Sequence, residues 1–366
     1  MSSAVAFNLL ETTIDAIYKA YKSGQLTTRQ LVQMYVDRIA AYDKTGPTIN
    51  AIITLNTTAL EEADRIDAAF KASGFVGPLH GIPVVVKDQA DAAGMPTTLG
   101  SVLFQHYYPD RDCFVVANLR RAGAIILGKT TLGELGGGDT HGSLFGSTRN
   151  PYDLERTVGG SSGGSAACVA ANFATVGVAQ EGLASIRRPA TWNCIVGMRP
   201  TAGLVSRGGV YAGWPSVAGS LGPMACTVTD VAKLLDVMVG YDPEDPVTAR
   251  GVGHIPASYT HFLDRNGLQG ARLGILREPM GFHTEPNSED FKKITEVFDQ
   301  AVAALHAAGA EIIDPIVIPP GFTRDTLPAG ITFLGRPYDD GKMITLAYAY
   351  EQATHHRRPP ASTVPL

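Results

Sequence analysis

The chain has 366 residues, 45% of them hydrophobic and 18% charged, with a formal net charge of −5 and a pI near 6.0. This suits one large domain, or two intimate ones, around a substantial buried core. The balance gives nucleic-acid binding no electrostatic support, because Arg120-Arg121, Arg187-Arg188 and the HHRRPP run at 355–360 are too short to make a basic surface.

The first sixteen residues, MSSAVAFNLLETTIDA, lack a basic leader and meet Glu11 early, so they make a poor secretory signal. No apolar run approaches the ~20 residues needed to span a bilayer. The four cysteines, Cys113, Cys168, Cys194 and Cys226, form no CxxC pair and read as buried free thiols. A soluble, cytoplasmic protein in a reducing compartment is expected.

Along the chain, 11–22 and 28–42 read as amphipathic helices, with Thr27 or Thr28 capping the second and Leu31, Met34, Tyr35, Arg38 and Ile39 on one buried stripe. A third helix spans 59–72, with Glu61, Glu62, Asp64 and Arg65 on its wet face. The continuous apolar run at 82–86 reads as a strand buried on both faces. A helix over 112–122, capped by Asp112 and stopped by Gly123, leads into a strand at 124–127. A small-residue helix at 163–173 precedes a strand at 175–179, and a helix at 229–239 ends at Gly240. Strand 271–276, helix 288–308 and strand 311–318 make a βαβ unit, and 341–353 forms a last helix. This alternation predicts an α/β fold with a parallel or mixed sheet.

Residues 123–130, GAIILGKT, satisfy the P-loop pattern, but the context refuses it. In a phosphate loop the strand precedes the first glycine. Here the four intervening residues are themselves the strand, and Gly123 ends a helix. The nine histidines show no ligand spacing, so no metal site is predicted, and His355-His356 reads as a helix-end feature.

Three places carry chemistry. Lys87 directly follows Val84-Val85-Val86, so a buried strand delivers an amine to the sheet's carboxyl edge, where open α/β sites lie. Burial would lower its pKa toward that of a neutral base, while the adjacent Asp88 would push the other way. The run Gly159-Gly160-Ser161-Ser162-Gly163-Gly164-Ser165 permits close backbone approach and opens a helix. Ser185 follows a strand, as Lys87 does, so the two can meet at one sheet edge. A serine activated by a nearby base is a recurrent nucleophile.

These residues resemble the amidase signature family. PLHGIPVVVKDQ, GAIILGKTTLGE, FGSTRNPYD, GGSSGGSAACVAAN, ASIRRPA, VGMRPTAGLVSR and GPMACTVTD occur in the family's order, and 327–354 resembles its C-terminal segment. The resemblance covers roughly residues 10–358. It implies a large mixed, twisted sheet covered by helices on both faces, apparently shortened near the C-terminus. It also implies a single domain over 1–366, with a helical part (1–75), a catalytic core (76–245) and a short C-terminal part (246–366).

The activity implied is hydrolysis of an amide carbon–nitrogen bond. Ser185 resembles the acyl-forming nucleophile and Lys87 the base. Ser161 resembles the bridging serine, carried on a cis peptide from Gly160. The backbone amides of Gly182, Leu183 and Ala184 would make the oxyanion hole, and Leu135 and Gly136 would wall the substrate site. No cofactor or metal is implied. The expected partner is a small-molecule amide, with a homodimer as one option for assembly.

Two departures stand out. The family's TDTGGS stretch is Gln180-Glu181-Gly182-Leu183-Ala184-Ser185 here, and a leucine at a positive-φ position would be strained. The text also passes from VIPPGFTRD to LPAGITFLG where relatives carry further elements. The competing readings are a catalytically disabled relative and a glutaminase component of an amidotransferase.

Overall fold

The computed structural model describes residues 7–212, 219–275, 288–313, 321–322 and 327–366. Its centre is a mixed sheet of six strands: β1 (Ile52–Leu55), β2 (Pro83–Lys87), β3 (Ile125–Thr130), β4 (Val176–Glu181), β5 (Val196–Gly197) and β6 (Ser220–Ala225). Across the sheet the order is β1-β3-β2-β4-β6-β5. The three central strands β3, β2 and β4 run parallel, and β1 and β6 join them antiparallel. Parallel strands need helical crossovers on the sheet faces, and the apolar runs Val84–Val86 and Ile125–Leu127 are accordingly buried throughout.

The helices follow from local sequence. α1 (Ile14–Ser23) begins at Thr13, whose side chain accepts from the Ala16 amide, and ends at Gly24 in the left-handed conformation. α2 (Thr28–Tyr42) opens on a capping box of Thr27 and Gln30. On its inner face Arg38 is buried, and its guanidinium donates to the carbonyls of Ala171, Thr363 and Val364. α3 (Ala59–Ser73) packs against α2 and β3. Glu62, expected in solvent, is half-buried and accepts from Asn56 and Thr58.

α4 (Phe114–Arg121) starts two residues later than expected, with Cys113 at its N-cap. Asp112 does not cap it. Its carboxylate accepts from the Ala93 amide at 2.8 Å and pairs with Arg120 at 3.1 Å, two longer-range partners that outcompete a local cap. The helix-Gly-strand junction at Gly123 stands as read, with φ of 88° and β3 beginning at Ile125.

α5 (Gly163–Ala170) is wholly buried against β2, β4 and β6. Next come α6 (Arg187–Trp192) and α7 (Val228–Met238), of which α6, like β1 and β6, carries no clear sequence signal. The C-terminal βαβ unit forms: β7 (Arg272–Gly274) pairs parallel with β8 (Glu311–Ile313), with α8 (Glu289–Ala307) between them. It is a separate two-stranded sheet, not an extension of the central one. Residue 276 and residues 314–318 of the expected strands lie outside the described residues. α9 (Asp340–Thr354) closes the chain's helices with His355 as its left-handed cap. All four cysteines are free, two buried and two half-buried. Among the described residues no helix is long and apolar enough to cross a membrane.

The N-terminal helix is tied to the far end of the fold by Asp230 of α7, whose buried carboxylate accepts from the Ile14 amide at 3.3 Å. Burial raises the Asp230 pKa to about 7, against a partial opposing pull from Lys233. The folded state therefore holds this proton more tightly than the unfolded chain. Its contribution to stability is full below the unfolded carboxyl pKa and is lost as pH rises through about 7. Each tenfold difference in proton affinity between the two states is worth about 1.4 kcal/mol. Asp230→Asn is expected to melt higher than wild type at pH above 7, with the gap closing on acidification. Melting temperatures across that range check this, and a pH-independent gap would contradict it.

Candidate active site

The last residue of β2 is Lys87, fully buried behind three valines. Its Nζ lies 2.7 Å from Ser161 Oγ and donates to the Gln180 carbonyl at 3.2 Å. Burial holds the Lys87 pKa well below the usual lysine value, and the nearby Glu181 carboxylate only partly offsets this. With the amine neutral, the Ser161 hydroxyl is free to donate to its lone pair.

The expected opposition from Asp88 does not operate. Asp88 forms a fully buried ion pair with Lys129 at 3.0 Å and accepts from the Thr98 amide and hydroxyl. Burial raises the Asp88 pKa, and Lys129 pulls it back down. The lysine of the P-loop lookalike is thus the counter-ion of this carboxylate. It also donates to Pro96 O and Thr97 Oγ1.

Ser161 follows a cis peptide bond from Gly160. The loop is packed against its neighbours so closely that side chains are excluded. A Cβ on Gly160 would sit 2.5 Å from the Gly138 carbonyl oxygen, and one on Gly164 would sit 2.3 Å from Thr131 Oγ1. The Ser161 carbonyl accepts from the Gly133 amide at 2.9 Å, while Ser162 Oγ donates to Gln180 O at 3.0 Å. Thr140 Oγ1 donates to Gly159 O and accepts from the Gly163 amide, closing the loop from the other side.

Ser185 sits on the turn after β4. That turn is closed by Glu181, fully buried, whose carboxylate accepts from the Ile186 amide at 2.8 Å, the Arg187 amide at 3.0 Å and Arg187 Nε at 2.7 Å. Arg188 reaches back to Gly160 O and Gly138 O and pairs with Asp139 at 2.7 Å. The Ser162 amide donates to the Ser185 carbonyl at 3.2 Å, so the turn rests on the residue next to Ser161.

Neither Leu183 nor Ala184 has a positive φ, so the strain expected at Leu183 is absent. Its side chain is 85% exposed, at the rim of a cavity of about 860 Å³. Among the described residues none accepts a hydrogen bond from the amides of Gly182, Leu183 or Ala184. Leu135 and Gly136 lie in a short turn (Glu134–Gly136) held by Ser143 donating to Glu134 and by the Leu135 amide donating to Leu99 O. Gly133, just before that turn, is the residue that binds the Ser161 carbonyl.

Lys87, Ser161 and the Ser185 turn are therefore brought together at one sheet edge. Two parts were missed by sequence reading: the clamp by Glu181 and the brace by Arg188. The only sequence signal was an acid four residues before Ser185 and a basic pair after it.

The amidase family model matches residues 30–317, and the chain belongs to that family. It is 36% identical over 306 residues to the A subunit of glutamyl-tRNA(Gln) amidotransferase from Thermosynechococcus vestitus, covering 83% of this chain and 60% of the relative. The corresponding protein of Alkaliphilus metalliredigens is 39% identical over 309 residues, covering 83% and 61%. The chain thus spans about 60% of the length of these curated relatives. Among solved structures, native peptide amidase from Stenotrophomonas maltophilia superposes with a TM-score of 0.87 at 29% identity, covering 97% of this chain and 99% of the other. An amidase family protein from Bacillus anthracis gives 0.88 at 25%, covering 96% and 92%. The mixed sheet with flanking helices is the fold of these relatives.

Removing the Glu181 clamp strands the buried Ile186 amide and takes the acceptor from the half-buried Arg187 amide and side chain, an unsatisfied buried amide costing about 1–3 kcal/mol. Glu181→Ala is expected to lower stability by roughly 2–4 kcal/mol, read from denaturant midpoints. A loss below about 0.5 kcal/mol would show that the clamp is not what closes the turn.

Proposed function

We propose that this protein hydrolyses an amide carbon–nitrogen bond through an acyl-enzyme on Ser185, with Ser161 passing protons and Lys87 as the base. The observation that carries this reading is the 2.7 Å contact between Ser161 and a fully buried Lys87 whose pKa is held down by desolvation. A lysine kept neutral near physiological pH is a competent general base.

In the proposed cycle Lys87 takes the Ser161 proton as Ser161 takes that of Ser185. Ser185 Oγ attacks the amide carbonyl. The developing oxyanion is received by the amides of Gly182, Leu183 and Ala184, which have no protein acceptor among the described residues. Such a donor is typically worth about 3–4 kcal/mol in the transition state. The relay then reverses, the amine leaves with a proton, and water releases the acid by the same path. Leu135 and Gly136, adjoining Gly133, wall the acyl side in this reading. A small-molecule amide is the substrate class.

A second reading, favoured by the name of the curated relatives, is a glutaminase role within an amidotransferase assembly. Release of ammonia from L-glutamine distinguishes the two: turnover of simple amides without glutamine turnover supports the stand-alone amidase.

A fluorophosphonate probe followed by peptide mass spectrometry tests the proposal. The adduct is expected on Ser185 in wild type and absent in Ser185→Ala. In Lys87→Ala it should form at least ~100-fold more slowly. Labelling of Lys87→Ala at the wild-type rate would remove Lys87 as the base.

A further inference from the structure

A second, smaller pocket of about 260 Å³ opens at the same sheet edge, with Gln89, Gln180, Arg207, Tyr211, Ala212 and Ser220 in its wall. It adjoins the relay on two sides. Gln89 is two residues beyond Lys87, and Gln180 carries the carbonyl to which Lys87 Nζ donates. Ser220 stands opposite Glu181 in the sheet register.

The polar groups of the pocket are unevenly satisfied. Arg207 is engaged by Asp245 at 3.0 Å through Nε and at 2.5 Å through Nη2, so its charge is compensated. Gln89 is fully buried and its Nε2 donates to the Tyr211 carbonyl at 2.5 Å, yet among the described residues its Oε1 has no donor. A buried acceptor left unmade is costly, which points to a donor arriving with a ligand. Tyr211, 40% exposed, stands edge-on to Tyr107 with ring centroids 6.2 Å apart.

We infer that this pocket receives the nitrogen side of the scissile amide and that Gln89 Oε1 accepts an N–H from it. The inference rests on the acyl-enzyme reading above. The substrate class is therefore an amide whose leaving amine keeps an N–H beyond the one the relay handles. N,N-dialkyl amides are excluded as good substrates.

The pocket also binds amines that attack the acyl-enzyme, since aminolysis is the acylation step reversed. In that step the C–N bond forms, the bond from the acyl carbon to Ser185 Oγ breaks, and the amine's proton passes through the relay to restore the Ser185 hydroxyl.

The test uses p-nitrophenyl butyrate as acyl donor and hydroxylamine as competing amine, measuring the ratio of hydroxamate to free acid. Both products come from one acyl-enzyme, so the ratio is independent of how fast that intermediate forms. Gln89→Met, which keeps the shape and removes the acceptor, is expected to lower the ratio at least fivefold. Ala212→Phe, which puts a bulky side chain into the pocket lining, is expected to lower it as well, and it decides the question if the first variant does not fold. A ratio within twofold of wild type in either folded variant overturns the inference while leaving the Ser185 reading intact. Failure of wild type to consume the ester overturns the Ser185 reading, and this inference with it.

Discussion

The proposed active centre depends on keeping one amine out of water. Lys87 ends a fully buried strand in the middle of the sheet, and it is hydrogen-bonded to Ser161 Oγ and the Gln180 carbonyl. Neither carries a charge, so the ammonium form has little to replace its lost hydration. The Glu181 carboxylate attracts it, but that carboxylate is itself committed to the Ile186 and Arg187 amides and to the Arg187 side chain. The charge that sequence proximity would have set against Lys87, Asp88, is absorbed by Lys129 in a separate ion pair. Two neighbouring residues thus end in opposite electrostatic states because different strands supply their partners.

Around this amine the fold supplies positions through main-chain contacts. The glycine-serine loop is pinned by Gly133, Thr140 and Arg188, and the Ser185 turn by Glu181 and by the Ser162 amide. These contacts join the ends of β2 and β4, the start of α5 and the start of α6. This mutual bracing also explains how Leu183 and Ala184 are tolerated before Ser185. The turn is closed from beneath by Glu181, takes ordinary backbone angles, and points Leu183 to solvent.

Much of this was legible in the residues. The valine run, the small-residue helix after Gly163 and the threonine cap of α2 each state their structure locally. The unread parts depend on distant partners. β6 contains Gly222 and Pro223, a pair that suggests a turn, yet it lies in the sheet with Pro223 opposite Val178. Gly222 is required there because a Cβ would meet the Met198 carbonyl at 2.1 Å, a contact invisible in one dimension. β1 is only four residues long and gains its identity from pairing with β3 at the sheet edge. Asp112 looked like a cap until Ala93 and Arg120 claimed it. The βαβ unit was correctly read but not its separation from the main sheet, which is a matter of tertiary placement.

The most direct measurement is the rate of Ser185 phosphonylation as a function of pH, taken between about pH 5 and 10. A desolvated Lys87 predicts a rate that rises through a single ionisation well below the ordinary lysine value of 10.5 and is flat above it. A rate still climbing toward that value would contradict the account, since Lys87 would then be an ordinary ammonium at neutral pH and could not serve as the base.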